Sequence, residues 1–321
     1  MVDDTNVMTQ TLKNSTFQLL LNLRISNAIV PSSLVLLGLF WNNMAGFDLG
    51  YVFLIFSIFF GNVFAFVVND FYDVSADIED PVKKMRNVFC SNETRNPGMQ
   101  ALYSSLILSL IFGALTSFNV LIIVGLLNLV FFFYSAPPVR LRDRMFWDWI
   151  FVILWKGLII LACYVYIFGM TEFRGDTFIY GTLLIIFVLT LIGQIRVNQL
   201  TDFEVDKQTN KTNTVQILGR QRSILIYKIL FVIFFATGFF LCWVFQLYFA
   251  MSLILINLTL YYFVRPSKRH YILDYSLIWV VVLFVEKYWA IFNFYVLLLF
   301  GTWVVVMFGL AVFHTKRKGL I

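Results

Sequence analysis

Apolar runs long enough to cross a lipid bilayer follow one another through most of this chain, and that succession limits what it can fold into more than any motif does. Ten are read, at 24–42, 50–69, 100–115, 117–136, 148–169, 177–198, 223–243, 245–264, 272–288 and 290–313, most of them near the roughly 17 to 25 residues of a spanning helix. Hydrocarbon offers backbone N–H and C=O groups no water, so each run must satisfy its own hydrogen bonds as a helix. The shorter runs and the ninth leave the count at nine or ten. With 60% hydrophobic residues, 37 Phe, 15 Tyr and 8 Trp among 321, a water-soluble domain of this size has no way to cover its apolar surface. The expected fold class is all-α, a polytopic transmembrane helix bundle forming one domain over residues 1–321.

Charge placement orients the bundle. With the N-terminus inside, the loops 70–99, 137–147, 199–222 and 265–271 collect nearly all the loop Lys and Arg, the tail Lys316, Arg317 and Lys318 is inside as well if there are ten spans, and the outward loops keep only Arg174 and Lys287. That asymmetry is what the positive-inside rule demands, and it makes those four loops cytoplasmic. The net charge of +6 is then a topology signal aided by anionic lipid, with no bearing on nucleic acid. The first residues are polar and lack the basic-then-apolar order of a cleaved signal peptide, so the first helix is expected to be retained.

Two acidic motifs stand where apolar runs end on this cytoplasmic side. One is NDFYDVSAD at 69–77, the other TDFEVD at 201–206, and together they bring Asp70, Asp73, Asp77, Asp202 and Asp206 to the membrane edge. Carboxylates beside hydrocarbon are costly without a neutralising partner, and acids in such places mark function by default. If the helix continues through the first motif, Asn69, Asp73 and Asp77 share a face at i, i+4, i+8, with Asp70 about a quarter-turn away. Asp202 and Asp206 repeat the i, i+4 spacing. Two facing ladders of oxygen ligands suit Mg²⁺ with positions left open for a phosphate substrate. Helix capping, or pairing with Lys and Arg, is the competing account of a single such ladder.

Other chemistry finds little support. Cys90, Cys163 and Cys242 are scattered without CxxC spacing, and His270 and His314 sit at basic loop ends with no ligand at metal-binding spacing. No GxGxxG or GxxxxGK[ST] phosphate loop occurs.

The chain resembles the UbiA superfamily of intramembrane prenyltransferases. The resemblance is carried by NDFYDVSAD at 69–77, matching the family's NDxxDxxxD, by DFEVDKQTNKTNTVQILG at 202–219, similar to its second DxxxD region, and by YSAPPVRLRDR at 134–144, similar to its fourth-helix exit. It implies a helical bundle around a central cavity that holds a polyprenyl diphosphate between the two motifs on Mg²⁺. Asn69, Asp73, Asp77, Asp202 and Asp206 would form the metal and diphosphate set, with Asp70 supporting. Lys84-Met85-Arg86-Asn87-Val88 stands where members with aromatic acceptors carry RPxxxG, and Asn210 stands where Gly is common, which leaves the acceptor open among lipid, carotenoid and aromatic compounds.

Such a donor is a greasy tail on a multiply charged head, and it needs an apolar tunnel opening onto a cationic rim. Candidate cations for the head are Lys84, Arg140 and Lys211 beside the motifs and Arg24 and Arg196 within predicted helices; loop cations also serve simply as topology determinants. Lys156 lies about two turns inside the fifth run, where it either snorkels to the interface or faces the cavity. Tyr134, at the cavity exit, offers a ring face to a carbocation. A terpene cyclase on the same scaffold shares the ionisation step, and a transporter also buries acids in a bundle, although it places them near the midplane.

Overall fold

A computed structural model describes residues 25–32, 34–35, 48–79, 81–169, 177–208 and 212–263, with 280, 282–283 and 285–287. Arg24, Lys211, Asn210, Arg174 and both histidines lie outside the described residues, as do all of the tenth run and most of the ninth. Among the described residues the secondary structure is helical throughout, with no strand. Helix α1 is Ile25–Ser32, α2 Leu49–Tyr72, α3 Val74–Asp77, α4 Pro81–Arg86, α5 Asn92–Thr116, α6 Phe118–Ser135 and α7 Trp147–Phe168. Helix α8, Thr177–Gly193, runs on as a π-helical turn, Gln194–Leu200, and α9 Phe203–Gln208, α10 Thr214–Leu218, α11 Arg220–Phe245 and α12 Tyr248–Phe263 follow. Among the described residues six helices are long and apolar enough to cross a membrane: α2, α5, α6, α7, α8 with the start of its π turn, and α11. They coincide with the second to seventh expected spans, and α12 is a shorter apolar helix in place of the eighth.

Side-chain caps set several helix starts. Asp48 accepts the Tyr51 N–H at 2.9 Å ahead of α2, Ser117 accepts that of Val120 at 3.2 Å ahead of α6, and Asn213 accepts that of Gln216 at 2.9 Å ahead of α10. Helix α5 begins eight residues before the expected run at 100, because Ser91 caps its first turn and carries polar residues beyond the apolar segment.

The apolar side chains gather in two clusters. The first joins α1, α2, α5, α6 and α7 around Leu54, Ile58, Leu127, Phe131 and Ile159; the second joins α8, α10, α11 and α12 around Phe178, Ile185, Ile192, Phe234 and Leu241. In lipid, apolar burial does little to bring helices together, so small residues and interhelical hydrogen bonds matter more. Ser57 and Ser109 exchange bonds to each other's carbonyls at 2.7 and 2.9 Å, and Asn128 donates to the Ser109 hydroxyl at 3.1 Å, which ties α2, α5 and α6. Gly61 permits that approach, since a Cβ there would stand 3.1 Å from the Ser109 hydroxyl. Asn62 donates to Ser32 at 3.0 Å and accepts the Trp155 indole N–H at 2.8 Å, which adds α1 and α7. Each acidic motif ends a helix of a different cluster, so docking the clusters is what brings the motifs to one place.

Candidate active site

A cavity of about 440 Å³ opens where the two clusters meet. Its deeper wall is apolar and aromatic: Ala65 and Phe66 from α2, Phe131 from α6, and Phe151, Val152 and Trp155 from α7. Nearer the helix ends that carry the two acidic motifs its lining turns polar, with Asn69, Asp73, Tyr134, Arg142, Asp143, Asp202, Asp206, Thr212 and Asn213, and with Gln194 and Gln199 from the π turn. Both motifs therefore contribute to one lining, and an apolar recess continues inward from it.

The first motif does not run as one helix. Helix α2 ends at Tyr72, Asp73 adopts φ −96°, ψ 0°, and α3 resumes at Val74. Asn69 and Asp73 still share a face, and the Asn69 amide donates to the Asp73 carboxylate at 3.0 Å. Asp77, expected on that face, is carried away from it by the break. It accepts the Asn87 amide at 2.9 Å and is absent from the lining. Asn87 also donates to the Asp70 carbonyl at 2.7 Å and accepts the Phe89 N–H at 2.9 Å. Burial, with the charges of Asp77 and Asp70, pushes the Cys90 thiol up. Asp70 and Asp77 thus hold the loop after α4 against the end of α2.

Arg142 is the cation that meets the first motif. Its guanidinium forks onto both carboxylate oxygens of Asp73 and donates to the Asn69 side-chain oxygen at 3.0 Å. Burial opposes its charge, yet the bonds to Asp73 and the neighbouring Asp143 hold its pKa above the ordinary value. Arg140, a candidate cation for the diphosphate head, stands 3.8 Å from Asp73 and pairs with Asp143 at 2.7 Å. The reason is local. Arg140 takes a left-handed backbone (φ 40°), and the 3₁₀ turn Leu141–Asp143 that follows delivers Arg142 instead.

On the other side, Asp206 accepts the Asn213 amide at 3.0 Å, and Asp202 is exposed at the rim. The Tyr134 ring stacks on Phe151 with centroids 3.8 Å apart. Lys84 is exposed on α4, and Arg196 is half-buried on the π turn; neither lines the cavity. Lys156 does not line it either. Its Nζ rests 3.6 Å from the Trp155 ring centroid, against the ring that forms part of the cavity wall. Arg142, Gln194, Gln199, Asn213 and the aromatic wall were not singled out from the sequence. The amide in each acidic neighbourhood was the one available signal for Asn213.

Among the described residues no three carboxylate, imidazole or thiol groups stand close enough together to share a metal ion. The donor set nevertheless fits a hard divalent cation, since Asn69, Asp73, Asp202 and Asp206 all line one cavity and each carries side-chain oxygen. Asp73 would have to exchange the Arg142 fork for the ion.

A multi-span helical bundle whose two helix-end acidic motifs line one cavity with an aromatic recess defines a class of integral membrane protein. The UbiA prenyltransferase family model matches residues 32–271, and the chain belongs to that family. Solved structures share the fold. A UbiA homologue from Archaeoglobus fulgidus bound to GPP and Mg²⁺ is 20% identical, with a TM-score of 0.62 over 85% of this chain and 99% of that one. A UbiA homologue from Aeropyrum pernix K1 is 11% identical, with a TM-score of 0.62 over 82% and 97%. A structure described for digeranylgeranylglyceryl phosphate synthase is 17% identical, with a TM-score of 0.58 over 86% and 98%. No curated protein matches the chain in sequence.

Removing one partner of a nearly buried ion pair strands the other charge, at about 3–5 kcal/mol. Arg142→Gln should therefore lower the thermal unfolding midpoint in detergent by several degrees, and adding Asp73→Asn should recover most of the loss. Additive losses in the double variant would show that the pair is not coupled.

Proposed function

We propose that this protein is a Mg²⁺-dependent intramembrane prenyltransferase that ionises a polyprenyl diphosphate and transfers the prenyl group to a lipophilic acceptor. The convergence of both acidic motifs on one cavity with an aromatic recess carries this reading. That the Archaeoglobus fulgidus homologue was solved with GPP and Mg²⁺ supports it. One domain performs the whole reaction, with the diphosphate at the polar lining, the tail toward lipid and the cavity facing the cytoplasm.

Asn69 and Asp73 would hold the metal from one side and Asp202 and Asp206 from the other. When bound, that ion neutralises the diphosphate as it departs. The chain's own residues do the rest. Arg142, once released from Asp73, donates its planar fork to the phosphate oxygens. The C1–O bond breaks with both electrons leaving on the diphosphate, which gives an allylic cation. Tyr134, Phe151 and Trp155 present ring faces where that charge develops. The acceptor's nucleophilic atom then bonds C1 and gives up its proton to the departed diphosphate. The aromatic wall also excludes water, which would otherwise capture the cation as an alcohol. Asp77 and Asp70 serve by fixing the loop behind the first motif, and Arg140 keeps Asp143 beside Arg142.

Detergent-solubilised protein given labelled prenyl diphosphates should release pyrophosphate with Mg²⁺ and none in excess chelator. Asp73→Ala and Asp202→Ala should each cut turnover per folded molecule by more than about a hundredfold, beyond what outer-shell changes cost. Full turnover in chelator contradicts the reading, and the mass of the product separates transfer from cyclisation.

The orientation rests on the basic loops. In a variant lacking Cys90, a cysteine at exposed Phe118 should react with an impermeant reagent added to intact cells, and one at exposed Glu204 should not. Reversed labelling moves the site to the other face.

A further inference from the structure

Asp148 lies in the first turn of α7, is only 1% exposed and takes no part in lining the cavity. Its carboxylate nevertheless gathers four donors. One oxygen accepts the Trp149 N–H at 2.9 Å and the Thr214 hydroxyl; the other accepts the Thr214 N–H at 3.0 Å and the Gln199 side-chain amide. Two more bonds close the cluster, from the Trp149 indole N–H to Gln199 at 2.9 Å and from the Phe146 N–H to the Thr214 hydroxyl oxygen at 2.6 Å. Four donors on one buried carboxylate leave it no freedom to turn, and hydrogen bonds to a carboxylate are stronger than those between neutral groups.

What these donors belong to gives the cluster its meaning. Gln199 lies on the π turn just ahead of Asp202, and Thr214 follows Asn213, whose amide is bonded to Asp206 at 3.0 Å. One carboxylate thereby fastens both flanks of the second acidic motif to α7. Most buried side chains of α7, including Phe151 and Ile159, pack in the first cluster, with α2 and its motif.

We propose that Asp148 is a positioning residue: it sets the Asp202–Asp206 segment in register against Asp73, and so sets the strength with which the two motifs hold a metal-bound diphosphate. This rests on the function proposed above. The role needs an oxygen acceptor at that place and not a negative charge. In Asp148→Asn the amide oxygen still receives Gln199 and the Thr214 N–H, and its NH₂ meets the Thr214 hydroxyl, so only the Trp149 bond is lost. Asp148→Ala loses every bond.

The test uses the full chain in detergent with Mn²⁺ and inorganic pyrophosphate as the probe, reading free Mn²⁺ by electron paramagnetic resonance and backbone order by hydrogen exchange. Asp148→Ala should weaken Mn²⁺–pyrophosphate binding about tenfold or more, the scale of outer-shell losses at metal sites, and speed exchange over 199–215 but not over 118–135. Asp148→Asn should stay within about threefold of wild type, consistent with one lost bond. Wild-type behaviour of Asp148→Ala overturns the proposal. So does Asp148→Asn binding as weakly as Asp148→Ala, because charge and not position would then be at work. If Asp148→Ala yields no folded protein, Thr214→Val decides, and wild-type binding by it overturns the role. Failure of the wild-type chain to bind the probe instead overturns the prenyltransferase reading, and this role with it.

Discussion

A carboxylate at the end of a membrane helix has to be neutralised, and the fork of Arg142 on Asp73 is how this chain meets that demand for its first motif. The pair does more than balance charge. It closes the segment after α6 onto the end of α2, and Thr212 donates to the Asp143 carbonyl at 3.0 Å, so the second motif's loop is drawn to the same place. A guanidinium and a divalent ion satisfy the same carboxylate by the same electrostatics. On the proposed function, exchange of one for the other would let the site hold together before substrate arrives and free a phosphate-binding fork when it does.

The two motifs are secured by different means. Near the first, charge meets charge, in a cluster of Asp73, Asp143, Arg140 and Arg142. Around the second, most of the bonds run through amides and hydroxyls, from Asn213, Gln199 and Thr214, to Asp206 and Asp148. The π turn at Gln194–Leu200 fits this division. Widened helical turns commonly occur at functional sites, and this one brings Gln194 and Gln199 into the lining just before the motif begins.

Much of this was legible in the sequence because hydrophobic length and charge asymmetry are strong, local signals. The spans of α2, α6, α7, α8 and α11 fall where the apolar runs lie, and the paired acidic motifs that the sequence singles out both reach one cavity. What was not legible depends on backbone turns of one or two residues. The break at Asp73 sends Asp77 to Asn87, and a left-handed Arg140 with the 3₁₀ turn after it puts Arg142 on the carboxylate. Neither leaves a periodic trace. Lys156 looked exceptional for its apolar surroundings, yet its ammonium rests against the ring of Trp155, which Asn62 holds in the cavity wall. Asp148 was read only as the start of a span, since an isolated acid there looks like any helix-terminal residue until Gln199 and Thr214 fold against it.

The central claim is that Asp73 and the Asp202–Asp206 segment bind one metal-bound diphosphate together, with Arg142 passing from carboxylate to phosphate. Locating Mn²⁺ by anomalous scattering in crystals grown with a non-ionisable thiolo-diphosphate tests it most directly. The account predicts Mn²⁺ ligated by Asp73 and by Asp202 or Asp206 in the same cavity, with the Arg142 fork on the phosphate. A bound analogue with Mn²⁺ away from either motif, or with Arg142 still forked on Asp73, would contradict it.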